Sequence, residues 1–286
     1  MAKRITCTNK ENGVAVIFDY NFAPFFLKAI DGIYKVSNNI QRADNTNTDG
    51  STYQGANTQE RNIVIDVEVC ENYQQNRDVL YKCFERDSEG TLTYEEGSIK
   101  REIDYYTESI DVDEKGVVRG ATISLVATDP YFKDTQYSVV LMASWQKVFK
   151  FPHKFTKEKE ELGTRRKELI KDVGNKGTVG RTGMVITLAA LGTVTNPVIN
   201  NITTGEFIKI NTELQAGDVL EICTETNKKN VYLTRDTKKN SINGYIDEDS
   251  DFIQLRPGTN TLRYGADTGV DNLNVIVEYK CKYTGV

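Results

Sequence analysis

The strongest constraint on the fold is the stretch of residues 121–132, which reads ATISLVATDPYF. Apolar residues at every second position from Ala121 to Ala127 predict a strand with one face on a core. Asp129 and Pro130 end this strand, because proline fixes its own φ and keeps the preceding residue out of helical space. One folding unit is therefore predicted to end near here.

Length and composition narrow the class of protein. A chain of 286 residues suits two domains of ordinary size, and 38% hydrophobic with 27% charged residues fits a soluble globular protein. No apolar run approaches the roughly 20 residues that a membrane helix needs. The opening MAKRITCTNKENG has basic residues but no apolar core behind them, unlike a signal peptide. We expect synthesis in a cytosol-like compartment and no membrane insertion.

The cysteines predict neither a disulfide framework nor a zinc site. Their number is odd, they are scattered, and no C-x-x-C pair occurs. We interpret them as reduced, mostly structural thiols. They are Cys7, Cys70, Cys83, Cys223 and Cys281.

The first half of the chain predicts a mostly antiparallel sheet with one helix. Residues 61–70 alternate as a strand, and the amphipathic segment after Glu71 and Asn72, a plausible N-cap, predicts about three helical turns. Residues 44–55 are rich in Asn, Asp, Gly and Thr, which predicts a loop. Further strands are predicted at 14–18, as an edge strand before an aromatic turn, at 91–94 and at 101–106, with turns at 87–90, Gly97 and 113–116.

A basic segment follows a possible strand at residues 137–142. Residues 146–181 hold eleven Lys and Arg against five Asp and Glu, a local charge of +6 in a chain of net charge −5. Gly163 separates two helix-like pieces. The segment is either a solvated linker or a basic surface that docks on an acidic neighbour or faces passing nucleic acid. A nucleic-acid binder would show a basic face with aromatics across a whole domain, and that pattern is absent.

The second half predicts a β-sandwich, because short strands recur between Gly, Asn, Asp and Pro turns. Pro257-Gly258 and residues 240–244 are predicted as tight turns. The eight predicted strands are 184–188, 198–202, 207–210, 219–224, 231–234, 252–255, 261–264 and 273–283.

Residues for catalysis or cofactor binding are scarce. The single histidine, His153, lies in the basic segment with no serine or cysteine motif around it, and the chain has no P-loop or dinucleotide fingerprint. The acidic residues Asp247, Glu248, Asp249 and Asp251 do not have EF-hand spacing and are interpreted as a solvated turn rather than a calcium site. We therefore predict no catalytic, cofactor or metal site, and no enzyme.

Several motifs, taken in order, resemble the distal tail proteins of long-tailed phages, the siphovirus tail-component family. The ATDPYF sequence resembles the end of that family's N-terminal domain, and an N-P strand, a T-G-E turn, a G-D strand, an S-x-F step and an L-x-P-G-x-N turn follow. These motifs are Asn196-Pro197, Thr204-Gly205-Glu206, Gly217-Asp218, Ser250-Asp251-Phe252 and Leu255-Arg256-Pro257-Gly258-Thr259-Asn260.

The resemblance implies a mainly β protein: an N-terminal tail-tube-like β-sandwich with one helix (1–140), a basic linker (141–180) and a galectin-like β-sandwich (181–286). It implies a homo-hexameric ring at the distal end of the phage tail, with a central channel through which DNA passes without specific binding. Its partners would be the tail tube protein, the tail-associated hub protein and, in many phages, receptor-binding proteins. The protein would be made in the host cytoplasm and kept in the virion.

The galectin-like outline also suggests an alternative, a carbohydrate-binding or adhesion module that contacts the host surface directly. Such sites stack a sugar ring on an aromatic face. The only tryptophan, Trp145, precedes the sandwich, so the candidates are Tyr232, Tyr245 and Tyr264.

Overall fold

The computed structural model describes residues 3–21, 24–46, 48–113, 119–147 and 163–286. The chain divides into two compact units. Unit 1 comprises Met1–Thr135 and Lys282–Val286, and unit 2 comprises Gln136–Cys281. We call Lys282–Val286 the return segment, because it re-enters unit 1 after unit 2. The domain boundaries expected at residues 140 and 180 stay a prediction.

Among its described residues, unit 1 has eleven strands and one α-helix. They are β1 (Lys3–Asn9), β2 (Ala15–Asp19), β3 (Phe25–Asp31), β4 (Asn38–Asp44), β5 (Ser51–Thr58), β6 (Arg61–Val69), α1 (Tyr73–Cys83), β7 (Glu89–Glu96), β8 (Ile99–Val112), β9 (Arg119–Ala127), β10 (Phe132–Asp134) and β24 (Lys282–Tyr283). The predicted turn at 113–116 lies mostly outside the described residues.

Seven strands of unit 1 close into a barrel. They are hydrogen-bonded in the order β7-β1-β2-β3-β6-β9-β8, and β8 also pairs with β7. Closure depends on the length of β8, which pairs with β7 up to Tyr106 and with β9 from Tyr106 to Val112. The prediction that residues 14–18 form an edge strand is wrong, because β2 has β1 on one side and meets β3 at Asp19–Phe26 on the other.

The helix packs where β2 and β3 separate. Leu80 and Cys83 are its buried residues, and the Cys83 thiol donates to the Cys7 carbonyl oxygen at 3.4 Å. Phe84, which follows the helix, stacks on Phe18 with ring centroids 6.2 Å apart. The predicted helix is confirmed, but the Asn72 side chain does not cap it. Burial raises the pKa of Cys83 to about 11, which keeps this thiol protonated.

Strands β4 and β5 form a hairpin with a two-stranded sheet of its own. We call it the hairpin arm. The loop predicted over residues 44–55 is wrong from Ser51 onward, where β5 begins. The residues are polar because both faces of the arm are exposed to solvent, not because the backbone is irregular.

Arg61, only 4% exposed, holds the base of the hairpin arm to the barrel and to the return segment. Its guanidinium donates to five backbone carbonyl oxygens at 2.5 to 3.1 Å, and its carbon Cζ lies 5.1 Å from the centroid of the Phe132 ring. The acceptors belong to Gly32, Ile33, Lys35, Pro130 and Thr284.

The return segment pairs with β10 through Phe132–Tyr283 and Lys133–Lys282. Arg101 donates to the Gly285 carbonyl oxygen and lies 3.6 Å from the centroid of the Tyr283 ring. A chain of ion pairs also reaches this segment from the beginning of β7. Its members follow one another as Glu89, Lys10, Asp104, Lys133, Asp129 and Lys282, at N···O distances of 2.6, 2.9, 3.2, 3.5 and 2.9 Å.

The described part of unit 2 consists of strands and two short 3₁₀ helices, η1 (Asn243–Tyr245) and η2 (Val270–Asn272). The strands are β11 (Ser138–Leu141), β12 (Ala143–Lys147), β13 (Gly163–Lys167), β14 (Ile170–Asn175), β15 (Val185–Ala190), β16 (Val194–Asn201), β17 (Glu206–Lys209), β18 (Glu213–Leu214), β19 (Val219–Cys223), β20 (Asn230–Arg235), β21 (Lys238–Ser241), β22 (Gly258–Thr268) and β23 (Leu273–Tyr279).

Two sheets of unit 2 form the predicted sandwich. One has the order β11-β23-β15-β19-β20-β21, and the other has β14-β22-β16-β17 with β18 beside β16. Each sheet buries alternate residues, such as Ile186 and Val277 in the first and Ile199 and Leu262 in the second. The Tyr279 hydroxyl on β23 donates to the carbonyl oxygen of Gly174 on β14 at 2.8 Å and so joins the two sheets. The mainly β fold class is confirmed.

Several predicted elements of unit 2 differ from the structure. Residues 252–255 make a single bridge, Thr182–Leu255, because the turn at Pro257-Gly258 follows at once. The helix-like piece after Gly163 is a strand, β13, paired with β12, and the piece before Gly163 lies outside the described residues. The predicted strand 273–283 is two strands, because β24 pairs in unit 1.

Changing Arg61→Lys should destabilise unit 1 by about 2–4 kcal/mol, because one ammonium group cannot reach all five carbonyl oxygens and leaves buried acceptors unpaired. Urea-induced unfolding followed by circular dichroism measures the change. The control is Arg86→Lys, at an exposed arginine of the same unit. Equal stability of the two variants would contradict the role given to Arg61.

Acid should lower the free energy of unfolding of unit 1, because it protonates Asp104. Burial alone would raise the pKa of Asp104, but the hydrogen bond from Lys10 and the charge of Lys133 outweigh it and lower the pKa to about 2. Because this value lies below that of an unfolded aspartate, the stabilisation is complete above about pH 4 and is lost as the pH falls toward 2. The free energy of unfolding of Asp104→Asn, measured from pH 7 to pH 2, should be about 2 kcal/mol lower at pH 7 and should converge on the native value in acid. A constant difference across this range would refute the assignment.

Candidate assembly surfaces

The outward face of four barrel strands in unit 1 is rich in acidic residues. Alternation along β3, β6, β9 and the second half of β8 sends every second side chain away from the core. Lys28 is the one basic residue at these outward positions. We call this surface the acidic sheet face, and its acidic residues are Asp31, Asp66, Glu68, Glu108 and Asp111.

Hydroxyl groups on the acidic sheet face hold two of its carboxylates in place by hydrogen bonds. The Thr122 hydroxyl donates to Asp66 at 2.7 Å, and the Ser124 hydroxyl donates to Glu108 at 2.6 Å. Lys28 pairs with Glu68 at 3.3 Å. Among the residues that the structure describes, only Glu68 of these five acids has a basic partner, so the face presents negative charge to solvent and repels polyanions.

The hairpin arm is a second candidate surface, because it projects from the barrel without a sheet partner among the described residues. Its base is fixed by the hydrogen bond from Arg61 to the Lys35 carbonyl oxygen and by the Tyr131 hydroxyl, which donates to Thr58 Oγ1 at 3.0 Å. Ile40 and Tyr53 on the arm are 60% and 67% exposed. An isolated hairpin is only marginally stable in water, so this arm needs a surface to pack on.

Of the three tyrosines proposed for sugar binding, one is buried. Tyr264 is 1% exposed and cannot stack on a sugar ring. Tyr232 is half-buried on β20 beneath the Lys239 ammonium, 4.5 Å from its ring centroid. Tyr245 is 55% exposed on η1. The backbone of Trp145 lies in β12.

The other candidate residues are His153 and the acidic cluster of residues 247–251. His153 lies outside the described residues. In the acidic cluster of residues 247–251, Asp247 accepts hydrogen bonds from the Asn211 amide at 3.1 Å and from the Asp249 backbone at 3.2 Å, as in an ordinary turn. Within the described ranges, no three His, Cys, Asp or Glu side chains gather as metal ligands would. In these same ranges no helix has the length and hydrophobicity of a membrane span.

Sequence reasoning missed both candidate surfaces, for different reasons. The alternation of residues 61–70 already placed Asp66 and Glu68 opposite the buried residues, so one strand of the acidic sheet face was visible. Glu108 and Asp111 share a surface with this strand only because β8 pairs with β9 and closes the barrel. No local sequence pattern reveals this closure. The sequence did not indicate Tyr53 as a surface residue of a strand, because its segment, residues 44–55, has the composition of a loop.

Two protein-family models match the chain. The phage tail protein RIFT-related domain matches residues 19–127, and the C-terminal domain of the siphovirus-type tail component matches residues 176–283. Together they cover three quarters of the chain. The first match falls within unit 1, and the second covers residues 176–281 of unit 2 and the first two residues of the return segment. No curated protein sequence matches significantly.

Solved structures agree with these matches in fold. The crystal structure of phage SPP1 Dit (gp 19.1), described as a paradigm of the hub adsorption apparatus in phages that infect Gram-positive bacteria, has a TM-score of 0.68 at 14% identity, over 97% of this chain and 98% of that one. Chains of the phage P2 baseplate in its activated conformation, with calcium or with strontium, have TM-scores of 0.54 and 0.53 at 13% identity over both full lengths.

The family matches and the fold agree over both units, and the order of the motifs in unit 2 agrees with them. The chain therefore belongs to the siphovirus-type tail component family and is a distal tail protein, a structural hub component of the phage tail or baseplate.

Proposed function

We propose that six copies of this protein form a ring at the distal end of the tail, with unit 1 around a central channel and the acidic sheet face as the channel wall. The ring joins the tail tube protein to the tail-associated hub protein and to the host-adhesion apparatus, including receptor-binding proteins. The protein is made in the host cytoplasm and assembled into the virion. It acts as a scaffold and not as an enzyme.

The acidic sheet face is the observation that carries this proposal. DNA has one negative charge per roughly 1.7 Å of its length, so a basic wall would hold it in place. A wall of carboxylates repels phosphates and lets DNA pass without specific binding. Unit 1 as a whole has 23 Asp and Glu against 16 Lys and Arg, which agrees with this assignment.

Unit 2 fits an attachment role better than direct sugar binding. Its sandwich has a well-packed core, but the burial of Tyr264 removes one of the three aromatic residues on which the carbohydrate alternative depended. Of the two remaining tyrosines, Tyr245 is exposed, but Tyr232 is half-buried beneath the Lys239 ammonium. The burial of Tyr264 and the cover over Tyr232 therefore disfavour the carbohydrate-binding alternative.

The native mass tests the ring. We expect about 194 kDa, six times 32.3 kDa, and a ring with an open centre in negative-stain images. The purified protein and isolated tails are both measured, because the ring can require the tail tube to close. A single copy per tail, or a closed disc without a lumen, would refute the proposal.

Charge reversal tests the channel wall. The variant Asp31→Lys/Glu108→Lys/Asp111→Lys changes three exposed acids of the acidic sheet face, so the fold should tolerate it. Phage that carry it should eject DNA severalfold more slowly at 50 mM salt, with a smaller defect at 200 mM, because lysines bind phosphates and salt screens them.

The matched control for this experiment is Glu11→Lys/Glu85→Lys/Asp87→Lys, which reverses three exposed acids elsewhere on unit 1 with the same change in net charge. It should eject DNA at the native rate. If both variants slow ejection equally, overall charge and not the acidic sheet face controls the rate.

A further inference from the structure

Two positions of the chain have the sequence Asn-Gly, Asn12-Gly13 in unit 1 and Asn243-Gly244 in unit 2. In this sequence the backbone nitrogen of the glycine can attack the carbon Cγ of the asparagine side chain, because glycine has no Cβ to obstruct the approach. The attack closes a cyclic imide and expels the side-chain NH₂ group. Hydrogen bonds that hold the glycine N–H or this NH₂ group therefore slow the reaction.

The pair Asn12-Gly13 is held at both of these groups. The Asn12 Nδ2 group donates to the Lys82 carbonyl oxygen at 2.8 Å and to Glu85 Oε2 at 3.5 Å. The Gly13 N–H donates to the Asn9 carbonyl oxygen at 3.1 Å. The leaving group and the nucleophile are both engaged, so the fold should protect this pair.

The pair Asn243-Gly244 is exposed on η1 and lacks both kinds of bond. Among the residues that the structure describes, neither the Asn243 Nδ2 group nor the Gly244 N–H donates a hydrogen bond. The Asn243 Oδ1 atom accepts the Val231 N–H at 2.8 Å, which stabilises the negative charge that the attack places on this oxygen. Because Asn12 Oδ1 likewise accepts the Val14 N–H at 2.9 Å, the two pairs differ only in the nucleophile and the leaving group.

We propose that Asn243 is a deamidation site of the folded protein and that Asn12 is not. The Gly244 nitrogen forms a bond to Asn243 Cγ and gives its proton to water or hydroxide, while the C–N bond of the side-chain amide breaks and ammonia leaves. Water then opens the cyclic imide at either of its carbonyl carbons, which leaves aspartate or isoaspartate at this position. The reaction consumes only water and goes beyond the role proposed for the ring.

Isoaspartate at this position would disturb the beginning of β20. It routes the main chain through the former side chain, so the acceptor of the Val231 N–H is displaced. Val231 is buried, and its carbonyl oxygen accepts the Ile242 N–H at 2.8 Å in the same connection. Either product also adds a negative charge close in sequence to the acidic residues 247–251. Unit 2 should therefore lose stability as the protein ages.

Peptide mapping of the full-length protein by mass spectrometry tests the site. After incubation of the folded protein in mildly alkaline buffer, the peptide with Asn243 should gain about 1 Da and separate into aspartate and isoaspartate forms. It should react roughly ten times faster than the peptide with Asn12, since each hydrogen bond that Asn12-Gly13 has to break slows the attack about fivefold. In concentrated denaturant these bonds are lost, and the two peptides should react at similar rates.

Gly244→Ala is the matched control. A Cβ at Gly244 would have no atom within 4 Å and the residue has no positive φ, so the fold should tolerate alanine. The variant should slow deamidation of Asn243 at least severalfold and leave Asn12 unchanged. Equal rates at Asn12 and Asn243 in the folded protein would overturn the proposal. An Asn243 that reacts in denaturant but not in the folded protein would also overturn it.

Discussion

The hydrogen bonds of Arg61 connect three parts of unit 1 that are distant in sequence: the segment between β3 and the hairpin arm, the segment after β9 and the return segment. A guanidinium can do this because it has five N–H donors in a plane and stays charged when buried. Every acceptor is a backbone carbonyl, so the contact fixes the course of the chain rather than one side chain. The position of the hairpin arm, and with it any contact the arm makes, depends on this residue.

The sequence predicted those elements in which one face is buried and the other is exposed. Strands β6 and β9 were identified because Ile63, Ile65, Ile123 and Leu125 fall at alternate positions. The same rule fails for the hairpin arm, where both faces meet solvent and alternation carries little signal. It also fails for β14, where the surrounding charge of the basic segment obscures a six-residue strand with two buried positions.

The motifs that carry the family resemblance are turn-forming devices and not a chemical site. Asn260 closes the Pro257-Gly258 turn with its side chain, accepting from the Arg256 backbone N–H at 2.9 Å and donating to the Arg256 carbonyl oxygen at 2.7 Å. Asp218 accepts from the Gln215 backbone at 2.8 Å in a similar way. Turn geometry restricts residue choice at each position. The surfaces that we assign to function lie in unit 1, where side chains are free to vary once alternation is kept.

The return segment has a consequence for how a nascent chain folds on the ribosome. Thr284, one of the acceptors of Arg61, is synthesised only after the 146 residues of Gln136–Cys281. At about 5–20 residues per second this delay lasts roughly 7–30 s. During that time all seven barrel strands have been synthesised, but β24, the strand that pairs with β10, has not. The backbone acceptors of Arg61 are therefore complete only after translation has passed unit 2, so the base of the hairpin arm is held by fewer hydrogen bonds until then.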